Sequence, residues 1–158
     1  MPVKDKRGNA DRVYNFEWST FWGLYDDEPV MLNAGRRRID AIYKHFAPSR
    51  KRPDLKLLHL APKRVRSMDT AAYYTPDYHR ITSTLLVFNE VYLTHETTHS
   101  LSERDTWEAH GPEFVRNLIE IHCWRLKMAA APRVRLAREH WGLRVADAFR
   151  LGRDPTRG

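Results

Sequence analysis

The chain has 158 residues, 42% of them hydrophobic and 30% charged. That balance suits a folded domain with its own core and argues against a disordered or fibrous chain. The single cysteine, Cys123, excludes a disulfide framework and a cysteine-based zinc site; it reads as a small buried apolar residue. The net charge of +7 and pI near 9.8 favour polyanions as partners, against the plainer reading of a solvated arginine-rich surface.

The length fits one domain, expected over residues 12–151, with polar tails at residues 1–11 and 152–158. The charged start leads into no apolar run, so no secretory leader is expected. No stretch is long and apolar enough to span a bilayer, and cytoplasm is the expected address. Residues 12–24 are rich in aromatics. Val13, Phe16, Phe21 and Trp22 can line a short helix packed on the core, the alternative being a surface for base stacking or peptide binding. The run Asp26-Asp27-Glu28-Pro29 is a loop.

Asn33 is expected to cap a helix that runs to Phe46 and ends at Ala47-Pro48. Ile39, Ile42, Tyr43 and Phe46 recur at i, i+3, i+4 and i+7, a helical core stripe. Arg36, Arg37, Arg38 and Lys44 fall mostly outside it, and His45 reads as a surface residue. After a basic loop, residues 55–60, 68–74 and 80–84 read as three strands. Thr75-Pro76-Asp77-Tyr78 makes the turn between the second and third. His59 and His79 are expected to be structural or exposed.

The chemistry lies in the next helix, which begins near residues 86–89 and ends near 101. Phe88, Val91, Tyr92 and His95 follow helical spacing, so the apolar face runs directly into His95-Glu96-Thr97-Thr98-His99. Residues four apart share a helix face, so His95 and His99 can aim two imidazoles at one ion. Glu96, one position round, can reach a water held there and act as its base. A catalytic zinc takes three protein ligands and keeps one position open. His110 is the best third candidate, because it lies just before Gly111-Pro112 and proline suits the first position of a new helix. Asp105 is the second, at the spacing of the metzincin pattern, although that pattern wants glycine where this chain has Ser102. Glu113 or Glu120 is the third, as in gluzincins. Residues 102–108 form a polar connection anchored by Trp107. The following helix is expected over residues 113–128, with Phe114, Leu118, Ile121 and Trp124 or Arg125 along one side. Pro132 is expected to break the chain. A further helix is expected over residues 133–141, ended by Gly142, with a short strand or helix at 143–151. The expected class is α+β: a small three-stranded sheet packed with an active-site helix and further helices.

His95-Glu96-x-x-His99 followed by His110-Gly111-Pro112-Glu113-Phe114 resembles the SprT-like zinc metallopeptidases, whose core pattern is His-Glu-x-x-His and then His-Gly-x-x-Phe. The resemblance extends upstream to residues 72–81, similar to the hairpin these small zincins place before the active helix. It covers roughly residues 55–128. The connection from His99 to His110 is short for the group, and the zinc ribbon of many members has no counterpart in this sequence. The resemblance implies a zincin-like domain with one zinc held by His95, His99 and His110, and Glu96 as base. It further implies a peptide substrate, with cleavage of proteins attached to DNA as the associated activity.

Peptide hydrolysis is thus the expected reaction. A strand of the kind at residues 71–74 borders the cleft of zincins, so Ala71, Ala72, Tyr73 and Tyr74 are the expected substrate-binding edge, paired by strand addition. Tyr73, Tyr74 and Tyr92 are the tyrosines available to steady an oxyanion. Nucleic acid is the other expected partner, through clusters such as Arg36-Arg37-Arg38 and Arg50-Lys51-Arg52. No membrane partner is expected. The rival reading is a non-catalytic, basic binding module in which zinc only holds the fold; Glu96 argues against it, since a structural site has no use for a base.

Overall fold

Regular structure in this protein alternates between stripes that hide one side of a helix and one helix hidden on nearly every side. The computed structural model describes residues 7–25, 30–58, 72–84, 89–102 and 109–157. Among them are five α-helices and a small mixed sheet of three strands, an α+β architecture. The helices are α1 (Arg7–Phe21), α2 (Leu32–Phe46), α3 (Glu90–Leu101), α4 (Pro112–Leu126) and α5 (Ala130–Glu139). The strands are β1 (Asp54–Leu58), β2 (Ala72–Thr75) and β3 (Arg80–Thr84). The chain divides into two units, one of Met1–Tyr25 with Ser102–Arg153, the other of Asp26–Leu101 with Asp154–Gly158.

In the second unit β3 is central. It pairs antiparallel with β2, Tyr73 opposite Thr82, and parallel with β1, Leu55 beside Ile81. The parallel pair needs a crossover that strand patterning alone does not announce. Between β2 and β3 a 3₁₀ turn, Pro76–Tyr78, hands over to His79, which takes a left-handed conformation at φ 45°. Its ring makes up for that strain. Nε2 donates to the Lys51 carbonyl at 2.7 Å, and Nδ1 accepts from the Tyr74 hydroxyl at 2.7 Å. His79 is therefore structural, as expected; His59 lies outside the described residues. On α2, Ile39, Ile42 and Tyr43 are buried while Phe46 is half-buried, and the arginines of residues 36–38 face solvent.

Helix α3 departs from that amphipathic plan. From Val91 to Leu101 every residue except His99 is buried, polar ones included. Buried hydroxyls need partners, and the helix supplies its own. Thr97 Oγ1 donates to the Leu93 carbonyl at 2.6 Å, and Thr98 Oγ1 to the Thr94 carbonyl at 2.7 Å. Ser100 Oγ donates to the Thr97 carbonyl at 2.6 Å and accepts from the Tyr43 hydroxyl at 2.7 Å. Burial raises the Tyr43 pKa, opposed in part by that hydrogen bond. At the helix start, Asn89 Oδ1 accepts from the Tyr92 amide, a side-chain cap of the usual kind.

The first unit packs α1, α4 and α5 around Val13, Phe16, Phe21, Leu118 and Ile121, all fully buried. The aromatic segment thus folds as packing, although Trp18 remains 43% exposed and stacks on Trp22 at 4.7 Å. Inside this unit lies a chain of polar groups. His122 Nε2 lies 2.7 Å from Glu17 Oε2 and its Nδ1 lies 2.8 Å from the Tyr25 hydroxyl, with Phe21 stacked on the ring. The consistent assignment puts the proton on Nε2, donated to the carboxylate, with Nδ1 accepting from Tyr25. Asn117, also fully buried, clasps the backbone at Arg150 from both sides, its amide donating to the carbonyl and its oxygen accepting the N–H. Cys123 is buried as expected, and burial pushes its thiol up to about 11.

Several sequence expectations shift. Helix α1 begins at Arg7, so residues 7–11 are helical rather than part of a polar tail. Helix α2 begins at Leu32 after Met31 with no side-chain cap, and Asn33 lies inside its first turn. Pro132 does not break the chain; it sits in the first turn of α5, where the missing N–H has no intrahelical partner to lose. Helix α5 therefore covers Ala130–Glu139 rather than 133–141. Gly142, at φ 63°, turns the chain, and residues 143–151 are irregular. Backbone bonds from Leu143 N to Ala137 O and from Ala146 N to Pro112 O hold that segment instead of a strand or helix. The second strand begins at Ala72; residues 59–71, Phe88, Asp105 and Trp107 lie outside the described residues.

Candidate metal centre

Helical spacing places the first two imidazoles. His95 and His99 stand one turn apart on α3, with ring centroids 5.0 Å apart and planes at 69°. His95 is 1% exposed and Glu96, between them in sequence, 5%. The third imidazole is fixed differently. His110 sits in the turn before Gly111 and Pro112, which occupy the N-cap and first position of α4. The Asn9 side-chain amide donates to the His110 carbonyl at 2.8 Å. The Tyr14 ring lies 5.4 Å from the imidazole and the Phe114 ring, one turn along α4, meets it edge-on at 5.0 Å. A side-chain hydrogen bond to its carbonyl and two aromatic rings thus hold a residue that belongs to no helix.

These three residues converge: one ring nitrogen from each of His95, His99 and His110 lies within 4.8 Å of the others, so the group could hold a metal ion. Tetrahedral zinc with bonds of about 2.0–2.1 Å sets its nitrogen ligands roughly 3.4 Å apart. Three imidazoles fit zinc, copper, iron or nickel better than magnesium or calcium, which prefer oxygen. The donor set therefore fits a transition-metal ion, zinc among them.

The rival third ligands fare differently. Neither Glu113 nor Glu120 joins the group among the described residues. Glu120 is engaged with Arg116 at 2.6 Å. Asp105 lies outside the described residues. Of the expected substrate edge, Ala71 also lies outside them. Ala72 is buried, Tyr73 is 41% exposed and Tyr74 is half-buried with its hydroxyl on His79. Strand β2 is an edge of the sheet and packs beside α3, the helix that carries His95 and Glu96. Of the three tyrosines considered for an oxyanion, Tyr74 is committed to His79 and Tyr92 is buried, which leaves Tyr73 the exposed hydroxyl.

Sequence reasoning missed the residues that position His110. Asn9 and Tyr14 belong to a helix about a hundred residues upstream, and no local spacing connects them to the turn. No helix among the described residues is long and apolar enough to cross a membrane. Comparison with known proteins finds no matching family model, curated protein or solved structure.

Proposed function

We propose that this protein is a zinc-dependent metallopeptidase of the SprT-like kind. The observation that carries the reading is the proximity of His95, His99 and His110, the first two flanking Glu96 on a buried helix. Zinc, when bound, supplies a Lewis acid that polarises the scissile carbonyl and acidifies a water. His95 and His99 supply two donors one helical turn apart. His110 supplies the third from a turn braced by Asn9, Tyr14 and Phe114. Glu96 accepts a proton from the attacking water and returns it to the leaving amine. The edge strand β2, with Tyr73 exposed, is where an extended polypeptide adds. Proteins attached to DNA are the substrate class that the sequence resemblance suggests, in the cytoplasm, with arginine-rich surface as the nucleic-acid contact.

The test is Glu96→Gln, assayed for zinc content and for hydrolysis of an unfolded protein such as casein. Zinc content should match wild type, while turnover falls by about 10²–10⁴-fold. Full activity in the Gln variant contradicts the assigned role. Zinc bound with no turnover even in wild type favours a non-catalytic module in which the metal only holds the fold.

A further inference from the structure

Away from the histidines, the unit that contains the sheet has a cleft of about 630 Å³ between α2 and β1. That is within the roughly 300–1,000 Å³ of small-ligand sites. Four cations line it, each from a different stretch of chain: Arg36 on α2, Arg52 in the loop before β1, Lys56 on β1 and Arg80 on β3. Two carboxylates, Asp40 and Asp54, also face it, which leaves an excess of two positive charges.

The cations are unequally committed. Arg52 is held at one end only. Its Nε donates to Asp40 Oδ1 at 3.0 Å and its Nη1 to the Pro48 and Arg50 carbonyls, with the guanidinium 5.7 Å over the Tyr43 ring. Its Nη2 makes no hydrogen bond among the described residues. Arg80 lies 5.6 Å over the Tyr78 ring, and neither the Arg36 nor the Lys56 side chain has an ion pair or hydrogen bond among the described residues. A fixed guanidinium loses little freedom on binding, and guanidinium forks suit phosphate oxygens.

We propose that this cleft binds a ligand carrying two or more phosphate groups. Converging donors from four stretches suit an anion of compact, multiple charge better than a single carboxylate. The same chemistry is offered by a free polyphosphate or nucleotide and by a run of nucleic-acid backbone. The inference does not depend on the metal centre.

The experiment titrates full-length protein with inorganic triphosphate and, separately, with a single-stranded oligothymidine, by calorimetry. The triple variant Arg36→Gln, Lys56→Gln, Arg80→Gln is set beside a control triple of equal charge loss, Lys127→Gln, Arg135→Gln, Arg153→Gln. Arg52 is spared because it also ties the loop. Binding of one or both probes should fall at least tenfold in the cleft variant, since each lost charge-assisted hydrogen bond is worth about tenfold or more. The control variant should bind as wild type does. Triphosphate alone identifies a small-molecule site; the oligonucleotide alone identifies a backbone site. The proposal is overturned if neither probe binds wild type, or if the two triple variants lose affinity equally. Circular dichroism of both variants establishes that they are folded.

Discussion

Two sets of imidazoles in this protein answer the cost of burial in opposite ways. His122 and His79 spend both ring nitrogens on protein partners: Glu17 and Tyr25 for the first, the Lys51 carbonyl and Tyr74 for the second. Each such ring is a cross-brace, tying segments distant in sequence. His95, His99 and His110 instead bring one nitrogen apiece to a common point. Counting histidines therefore says little about function. What marks the second set is geometry: one nitrogen from each of three rings lies within reach of a single ion.

The braces are the cheapest place to break that contrast. His122→Ala removes the ring nitrogen that lies 2.7 Å from the buried Glu17 carboxylate and empties the space the ring fills. Removing one member of a buried pair costs about 3–5 kcal/mol, so urea unfolding should show a loss of that order, the largest of the stability effects. Chains still folded should retain their zinc. A loss under about 1 kcal/mol would mean that water replaces the ring, and the brace reading would fail.

Smaller is the effect of Tyr43→Phe, which removes the hydroxyl donated to Ser100 on the helix that carries His95. One hydrogen bond of this kind is worth about 1 kcal/mol. The pH dependence has a definite sign. Burial raises the Tyr43 pKa in the folded state, so the unfolded chain releases this proton first as pH rises. The stability contributed by Tyr43 is thus complete below its ordinary value near 10 and lost above it. The gap of about 1 kcal/mol between wild type and Tyr43→Phe should close within about one pH unit beyond 10 and then reverse in sign. A gap that widens would show the tyrosinate to be stabilised inside.

How much of this was legible follows from the range of each signal. The candidate pair His95 and His99 is local: four residues apart on a helix, with Glu96 between. His110 was legible from the Gly-Pro that starts the next helix, and β3 from its composition and the turn before it. Helix α3 shows only a weak stripe because its polar residues are buried along with the rest, satisfied by their own backbone. The parallel pairing of β1 with β3, the Glu17–His122 bond across 105 residues and the bracing of His110 by Asn9 are tertiary facts with no periodicity to betray them. Pro132 misled because proline is a breaker inside a helix and harmless in its first turn. Asn33 misled because a good capping residue one position inside a helix start need not be the cap.

The most direct test of the account is zinc per chain by elemental analysis, on wild type beside His110→Ala, after reconstitution with zinc and removal of excess. One zinc per wild-type chain, lost in His110→Ala, is the predicted result and makes the three imidazoles a single site. Zinc retained in full by His110→Ala, or none in wild type, would contradict it.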